Sequence, residues 1–418
     1  MKQAGLGVKI LAILHRVFLV LFYILLRSTV GLYCRVKFRP RYIRPREVRR
    51  LHPPYVVLAD HVHPMDMFFN GLGLRPVIHW VAADANFRTP FMKFVMTVLA
   101  GAIAKSKNRS DMVTLSRMRL LADVGCVIGV YQEGERSWDG VNLPPVPGTD
   151  KLIRFLKIPV VYAHLEGAYL DHPRWSWTSN GNRITVRYEV LIGRDEVAAM
   201  PLSEITRRIT EAGNYDEWDY QARAKIPLRG DERAEHVELV CFLCPDCRSV
   251  NTLRSEGNDF RCRRCGLEGS MNRLGHFEWG RPPTEWPTGR PFETVRDWNL
   301  WQIAHYRDEL ERLRSVPSAH PAAHLFWEDA GVVHLSRGNR DKRLQDIGIG
   351  SARFFGDRIE FESETDRIVM PVTEISSFSV FKQHFTEFYH DHQLYRFSFT
   401  DRSVSGYKWL MLFHLMTR

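Results

Sequence analysis

The chain has 418 residues, of which 44% are hydrophobic and 25% are charged, a composition typical of folded rather than disordered proteins. This length exceeds what one hydrophobic core usually supports, so we expect roughly two to four domains. The formal net charge of +10 is concentrated in residues 1–50, which contain twelve Lys or Arg and a single acid. Because the remainder is close to neutral, a broad basic face is not indicated, and no nucleic-acid partner is expected.

An apolar segment occupies residues 10–26, interrupted only by His15 and Arg16. As a helix it would be about 25 Å long, slightly shorter than a hydrocarbon core of roughly 30 Å. We therefore expect a helix embedded in one leaflet, with Arg16 snorkelling and residues 27–50 on the head groups of a phospholipid surface. A tilted single span that extends to Tyr33 is the alternative. Residues 1–50 are thus predicted to associate with a membrane, on its cytoplasmic face.

Residues 51–230 alternate between short apolar runs and helical segments. The runs at residues 55–59, 77–83, 126–131 and 158–163 predict buried strands, and helices are predicted at residues 91–99 and 110–122. Strands that alternate with helices predict an α/β domain with a central mixed sheet flanked by helices.

Four cysteines predict a small zinc ribbon within residues 231–275. Cys244 and Cys247 form one C-x2-C pair, and Cys262 and Cys265 form a second pair fourteen residues later. This spacing is typical of structural Zn²⁺ sites, in which four thiolates leave no position open for a substrate. A register in which Cys241 replaces Cys247 stays open, and a disulfide interpretation would need an oxidising compartment.

The remaining sequence is predicted to hold a linker with a helix over residues 276–320 and a β-rich domain over residues 321–418. Residues 352–362 predict a hairpin whose two-residue turn is Gly356-Asp357, and alternation returns at residues 395–399. A final helix is expected from about residue 403 to residue 415. A small β-domain closed by a helix is similar to pleckstrin-homology or GRAM-like domains in fold only.

The run from His61 to Asp66 couples a potential base to a carboxylate that can orient it. Pro64 suits the first position of a helix, which places His61 in the preceding loop and Asp66 at the third helical position. From there the carboxylate can reach one imidazole nitrogen, fix the tautomer and leave the other nitrogen as a base. His63 is a second imidazole and remains a competing base or a helix cap.

Four segments then resemble, in order and spacing, the motifs of glycerolipid acyltransferases that make phosphatidic acid from lysophosphatidic acid. The segments read DHVHPMD at residues 60–66, GAIAKSK at 101–107, YQEGERS at 131–137 and IPV at 158–160. The resemblance covers about residues 50–230. It implies an acyltransferase fold for this domain and acyl-CoA or acyl carrier protein as the donor.

The resemblance also implies site residues. His61 would deprotonate the acceptor hydroxyl, and Asp66 would orient His61 and stabilise its imidazolium. The substrate-binding residues would be Glu133, Gly134, Arg136, Lys105 and Lys107. The expected activity is acylation of a lysophosphatidic acid hydroxyl.

The sequence departs from the family pattern at four positions: Asp60 replaces Asn, His63 replaces Ser, Lys107 replaces Arg and Glu135 replaces Thr. Glu135 adds a carboxylate beside the expected phosphate site, which would repel a phosphate. Together the four departures leave the acceptor open, and it could instead be another lysophospholipid or glycerol 3-phosphate. The alternatives of another class are a membrane-anchored zinc-ribbon protein that binds nucleic acid and a non-catalytic scaffold.

Overall fold

The computed structural model describes residues 6–105, 112–315, 324–339 and 344–417. The chain divides into two compact units. Unit 1 comprises residues 1–173 and 181–226, and unit 2 comprises residues 174–180 and 227–418.

Unit 1 is built on a seven-stranded sheet of order β1-β7-β6-β2-β5-β3-β4. Its strands are β1 (Arg41–Ile43), β2 (Val56–Ala59), β3 (Ile78–Ala83), β4 (Ile103–Lys105), β5 (Val127–Tyr131), β6 (Val160–Glu166) and β7 (Thr185–Ile192). Only the β6–β7 pair is antiparallel. The predicted α/β class with a central mixed sheet is therefore confirmed.

Helices cover both faces of this sheet. They are α1 (Leu6–Lys37), α2 (Arg46–Arg50), α3 (Asp66–Gly73), α4 (Pro90–Phe94), α5 (Met112–Asp123), α6 (Thr149–Leu156), α7 (Ala168–Asp171), α8 (Leu202–Gly213) and α9 (Glu217–Ala224). Apolar residues of α5, α6 and α8 pack on the sheet in one buried cluster. On the other face α3 packs on β7, where the Tyr188 hydroxyl donates to the Asn70 carbonyl at 2.9 Å, and α1 packs on α3.

Helix α1 contacts the rest of unit 1 partly through polar side chains, and many of its apolar side chains are exposed. Arg16 donates to the Val124 carbonyl, and Arg27 donates to the Leu72 and Leu74 carbonyls at 2.8 and 2.7 Å. The prediction that Arg16 snorkels to the lipid head groups is thus wrong, because its guanidinium satisfies a protein carbonyl instead. Within this helix, Ile13–Lys37 is long and apolar enough to cross a membrane.

The loop before α3 also differs from its prediction. Pro64 and Met65 form a turn, and α3 begins at Asp66. Asp66 is consequently the first helical residue rather than the third.

The described residues of unit 2 form two sheets and two α-helices. The first sheet has the order β11-β10-β9-β8, from β8 (Leu253–Glu256), β9 (Asp259–Cys262), β10 (Glu268–Met271) and β11 (Phe277–Arg281). The second has the order β15-β14-β13-β12-β18-β17-β16, from β12 (Leu325–Gly338), β13 (Gln345–Phe355), β14 (Arg358–Glu362), β15 (Arg367–Pro371), β16 (Ser376–Phe381), β17 (Phe385–His390) and β18 (Gln393–Phe399). The helices are α10 (Val295–Ser315) and α11 (Gly406–Thr417). The predicted β-rich domain with a closing helix is confirmed.

Candidate active site

The predicted base and its partners lie at one edge of the unit 1 sheet. Strands β2 and β5 are parallel neighbours, so the residues that follow them, His61 and Glu133, emerge at the same edge. Strand β3 pairs with β5 and ends there as well. This carboxyl edge is where open α/β sheets usually bind ligands.

His61 and Asp66 form the hydrogen-bonded pair that the sequence predicts. Nδ1 of His61 lies 2.6 Å from Oδ2 of Asp66, and the Asp66 side chain is almost completely buried. The His61 side chain is 26% exposed, so its ring reaches the surface of the edge. Because a carboxylate only accepts hydrogen bonds, Nδ1 carries the proton and the lone pair is on Nε2. Within the described residues Nε2 has no hydrogen-bond partner, which leaves it available to accept a proton.

Two aromatic rings fix the plane of the His61 imidazole. The His61 ring stacks on Tyr131 with 4.2 Å between centroids, and Tyr131 stacks on Trp80 with 4.6 Å between centroids. Burial raises the pKa of Tyr131, and the neighbouring Asp66 carboxylate adds to the shift. Tyr131 is therefore a neutral platform for the ring rather than an acid.

His63 is held in a different environment. Its side chain is buried, Nδ1 accepts the backbone N–H of Met65 at 3.0 Å, and Nε2 donates to Asp171 at 3.0 Å. Both nitrogens are thus engaged inside the protein. His63 stabilises the turn before α3, and its geometry does not suit a base that must reach a substrate.

The Glu133 carboxylate holds the backbone around His61. It accepts the N–H of His61 at 3.0 Å and the N–H of Leu143 at 2.9 Å, and it is buried. Burial raises its pKa well above the usual value, and the nearby Asp60 carboxylate adds to the shift. Substrate binding by Glu133 stays a prediction. Its hydrogen bonds position the backbone of His61.

Asp60 is a positioning residue that the sequence did not identify. Its fully buried carboxylate accepts the Tyr162 hydroxyl and the Asn142 amide at 2.8 Å each, and the Leu165 N–H at 2.9 Å. Gln132 donates to the same Tyr162 hydroxyl at 2.6 Å. The departure from the family motif could have identified it. All three groups around this side chain donate hydrogen bonds, and the amide of an Asn would place a further donor among them.

The predicted phosphate-binding residues are placed less completely. Gly134 adopts φ = 73°, a turn conformation that favours glycine, and Arg136 is half-buried two residues later. The pKa of the half-buried His172 is lowered to about 4 by burial, with Arg136 among the cations that add to the shift. Lys105 is exposed at the end of β4, and Lys107 lies outside the described residues.

The four predicted metal ligands of unit 2 converge. The Sγ atoms of Cys244, Cys247, Cys262 and Cys265 all lie within 4.8 Å of one another. The Cys244–Cys265 and Cys247–Cys262 sulfur distances are 3.6 and 3.8 Å, close to the ~3.8 Å edge of a tetrahedron with Zn–S bonds of about 2.3 Å. The donor set therefore fits Zn²⁺. Cys241 is buried outside this group, so the alternative register is not the one that the fold adopts.

Two comparisons with known proteins found similar sequences or structures. Residues 39–163 match the family described as Acyltransferase, and this range includes His61, Asp66, Glu133 and Arg136. The crystal structure of the 1-acyl-sn-glycerophosphate (LPA) acyltransferase PlsC from Thermotoga maritima is similar, with 14% identity and a TM-score of 0.37, over 51% of this chain and 98% of that chain. No curated protein matches the chain. The chain carries an acyltransferase domain, so the resemblance inferred from the motifs is confirmed.

Proposed function

We propose that this domain transfers a fatty acyl group from a thioester to the free hydroxyl of lysophosphatidic acid, which gives phosphatidic acid. The observation that supports it best is the His61–Asp66 pair at 2.6 Å, with Nε2 of a partly exposed imidazole at the carboxyl edge of the sheet. A base of this type activates a hydroxyl without first forming an acyl-enzyme.

The proposed reaction uses His61 twice. Nε2 takes the proton from the acceptor hydroxyl as its oxygen attacks the thioester carbonyl, and the buried Asp66 carboxylate stabilises the imidazolium. When the C–S bond breaks, the imidazolium returns the proton to the thiolate. The products are the ester and a free thiol of coenzyme A or of acyl carrier protein, and the base is regenerated.

Arg136 and Lys105 are proposed to bind the acceptor phosphate, with Lys107 as a further cation. A guanidinium matches two phosphate oxygens, and Arg136 follows the positive-φ turn at Gly134, shortly after β5 ends. The buried carboxylates of Asp60 and Glu133 would repel a phosphate bound at this point. The attraction of the cations must therefore exceed this repulsion.

Helix α1 is proposed to lie along one leaflet rather than to span the bilayer. Its contacts with the rest of unit 1 extend from His15, near the Val98 carbonyl, to the buried Cys34, and directly after the helix the Phe38 ring meets His63 with 5.4 Å between centroids. A helix held along this whole length cannot leave unit 1 to cross a membrane. Its outward side chains are apolar and exposed, including Leu11, Leu14 and Leu21.

The ribbon is proposed to bind structural Zn²⁺, and its arginines do not favour the nucleic-acid alternative. Arg248 lies over the Trp301 ring at 4.7 Å, Arg254 pairs with Asp401 at 3.1 Å, and Arg264 donates to Ser249. These three arginines already have partners within unit 2, which makes them less available to a phosphate backbone.

The acceptor can be identified with purified protein in phospholipid vesicles. We expect labelled acyl groups from acyl-CoA or acyl carrier protein to reach lysophosphatidic acid faster than glycerol 3-phosphate or a zwitterionic lysophospholipid. Arg136→Gln should raise KM for lysophosphatidic acid more than it lowers kcat. Transfer only to the zwitterionic lysophospholipid would show that this lipid, and not lysophosphatidic acid, is the acceptor. No transfer to any of the three would contradict the proposed activity.

A further inference from the structure

Helix α4 exposes large apolar side chains on the described surface of unit 1. Phe91 is 72% exposed and Phe94 is 52% exposed, and Met92 between them is also exposed. Single exposed apolar residues are common, but two phenylalanines on one turn form a patch. A soluble surface gains nothing from this arrangement, so the patch indicates a contact that the isolated chain does not make.

The first turn of α5 exposes further apolar side chains at the same edge of the sheet. Met112 and Val113 are exposed, Val113 by 78%. Strands β3 and β4 are parallel neighbours, and α4 and α5 each follow the carboxyl end of one of them. We call Phe91, Met92, Phe94, Met112 and Val113 the α4 rim. The rim therefore begins at the edge that holds His61.

The rim also adjoins the outward face of α1. The π-helical turn Val95–Leu99 continues α4, and the His15 imidazole lies 3.0 Å from the Val98 carbonyl within that turn. Leu19 is buried beside Gly101, two residues further along the chain from the turn. The exposed apolar residues of α1 near this contact, such as Val17 and Phe18, thus extend the apolar surface of the rim.

The charges around this surface suit an anionic lipid layer. Lys93 is exposed within α4, and α1 ends in Arg35 and Lys37, which are exposed as well. Residues 38–50 add six arginines and one acid. Apolar side chains bordered by cations are the pattern of interfacial membrane elements, because the cations meet lipid phosphates while the rings enter the acyl region.

We propose that the α4 rim is a second membrane-inserting element, which seats the carboxyl edge of the sheet on an anionic phospholipid bilayer. This inference rests on the proposed function in one respect, since it explains how a lipid acceptor reaches His61 without crossing water. Helix α1 anchors one side of unit 1, and the rim brings the catalytic edge down to the head groups. The insertion of Phe91 and Phe94 is a property of the surface and does not depend on which acceptor is used.

The direct test measures the depth of the rim in a bilayer. The full chain, with a small fluorescent amino acid in place of Phe94, is bound to vesicles of phosphatidylglycerol and phosphatidylcholine whose acyl chains carry nitroxides. We expect strong quenching at Phe94 and none for the same probe in place of Ile349, which is exposed on β13 of unit 2. Equal, weak quenching at both positions would overturn the proposal.

A variant pair links insertion to activity. The double substitution Phe91→Glu and Phe94→Glu should weaken vesicle partitioning about tenfold, while Ile349→Glu leaves it unchanged. In detergent with a short-chain, monomeric lysophosphatidic acid, the double variant should keep its kcat, since the rim makes no contact with the reacting groups. If the wild-type protein is inactive both in vesicles and in detergent, this result contradicts the proposed function but not the insertion of the rim.

A second copy of the chain is the other occupant that such a patch could have. Sedimentation of wild type in the absence of lipid distinguishes it. A dimer that the double variant abolishes, together with unchanged vesicle partitioning, would overturn the proposal in favour of an interface between copies.

Discussion

His61 and His63 lie two residues apart, and only their contacts separate their roles. The sequence identified His61 and Asp66 correctly as a pair, because Pro64 separates the loop from a helix and so brings the two side chains together. It could not exclude His63 as the base. The residue that engages His63 is Asp171, which is 108 positions away and belongs to no recognised motif. When the fold brings together two residues that are far apart in the chain, no local sequence pattern predicts their contact.

Asp66→Asn tests the role of the orienting carboxylate. The amide cannot stabilise an imidazolium and can place the proton on the wrong nitrogen, so kcat should fall by about 10²–10⁴-fold with little change in KM. Steady-state assays of acyl transfer measure both constants. Asp123→Asn, which alters a surface pair with Arg119, is the matched control and should retain full activity.

Asp60→Asn tests whether the carboxylate that departs from the family motif stabilises the fold. The Asn amide would turn a donor towards the Leu165 N–H or towards Tyr162 and Asn142, and one buried group would lose its partner. We expect unfolding to become easier by about 1–3 kcal/mol in chemical denaturation. The exposed Asp357→Asn is the control. A variant as stable as wild type would mean that the three hydrogen bonds to Asp60 contribute nothing net.

At the level of elements, β2, β3, β5 and β6 of unit 1 and the hairpin at Gly356-Asp357 were predictable from apolar runs and turn residues, whereas β1 and β7 were not predicted. The start of α3 and the orientation of α1 were not predictable either. Local propensity places the helix start at Pro64, whereas the His63 side chain accepts the Met65 N–H and α3 begins only at Asp66. In an apolar helix, Arg16 and Arg27 suggest contact with lipid head groups. The sequence does not show the protein carbonyls to which they donate hydrogen bonds instead.

Helix α7 is fixed by a buried carboxyl that should make stability depend on pH. Glu217 accepts the N–H groups of Gly167 and Leu170 and the Tyr215 hydroxyl, and burial raises its pKa to about 7. Since the folded pKa exceeds the usual 4.5, its favourable contribution is complete below about pH 4.5 and is lost as pH rises through about 7.

Glu217→Gln should therefore flatten the pH dependence of thermal unfolding between about pH 4.5 and pH 7, although it lowers the midpoint throughout that range. The exposed Glu211→Gln should leave the profile unchanged. Thermal scans followed by circular dichroism measure both. A wild-type profile that is flat over this range would show that Glu217 does not titrate there.

At the scale of the whole molecule, the ribbon and the β-domain were predicted as separate domains, and the structure places both in unit 2. A buried network joins them. Lys408 of α11 donates to Asp329 of β12 at 2.6 Å and to Asn251 beside the ribbon at 2.9 Å, and the Asn251 amide donates to Asp329. The residues are dispersed over more than 150 positions, so the sequence carried no sign of the connection.

This network predicts that metal loss disturbs more than the ribbon. Cys262→Ser should lower zinc content and also weaken the near-ultraviolet circular dichroism of buried Trp409 and Trp298. Mass spectrometry and circular dichroism measure the two effects. Cys126→Ser, a buried thiol outside the metal group, should keep its zinc. Reduced wild-type protein without zinc would contradict the four-thiolate site.

The measurement that tests the central claim most directly compares His61→Ala with His63→Gln in one vesicle assay, using lysophosphatidic acid and a labelled acyl donor. If Nε2 of His61 is the base, His61→Ala reduces kcat by about 10²–10⁴-fold while the protein stays folded. His63→Gln should lower thermal stability, because the buried bond to Asp171 is disturbed, and should retain most of the kcat. A folded His61→Ala variant with a wild-type rate, or a folded His63→Gln variant without activity, would contradict the account.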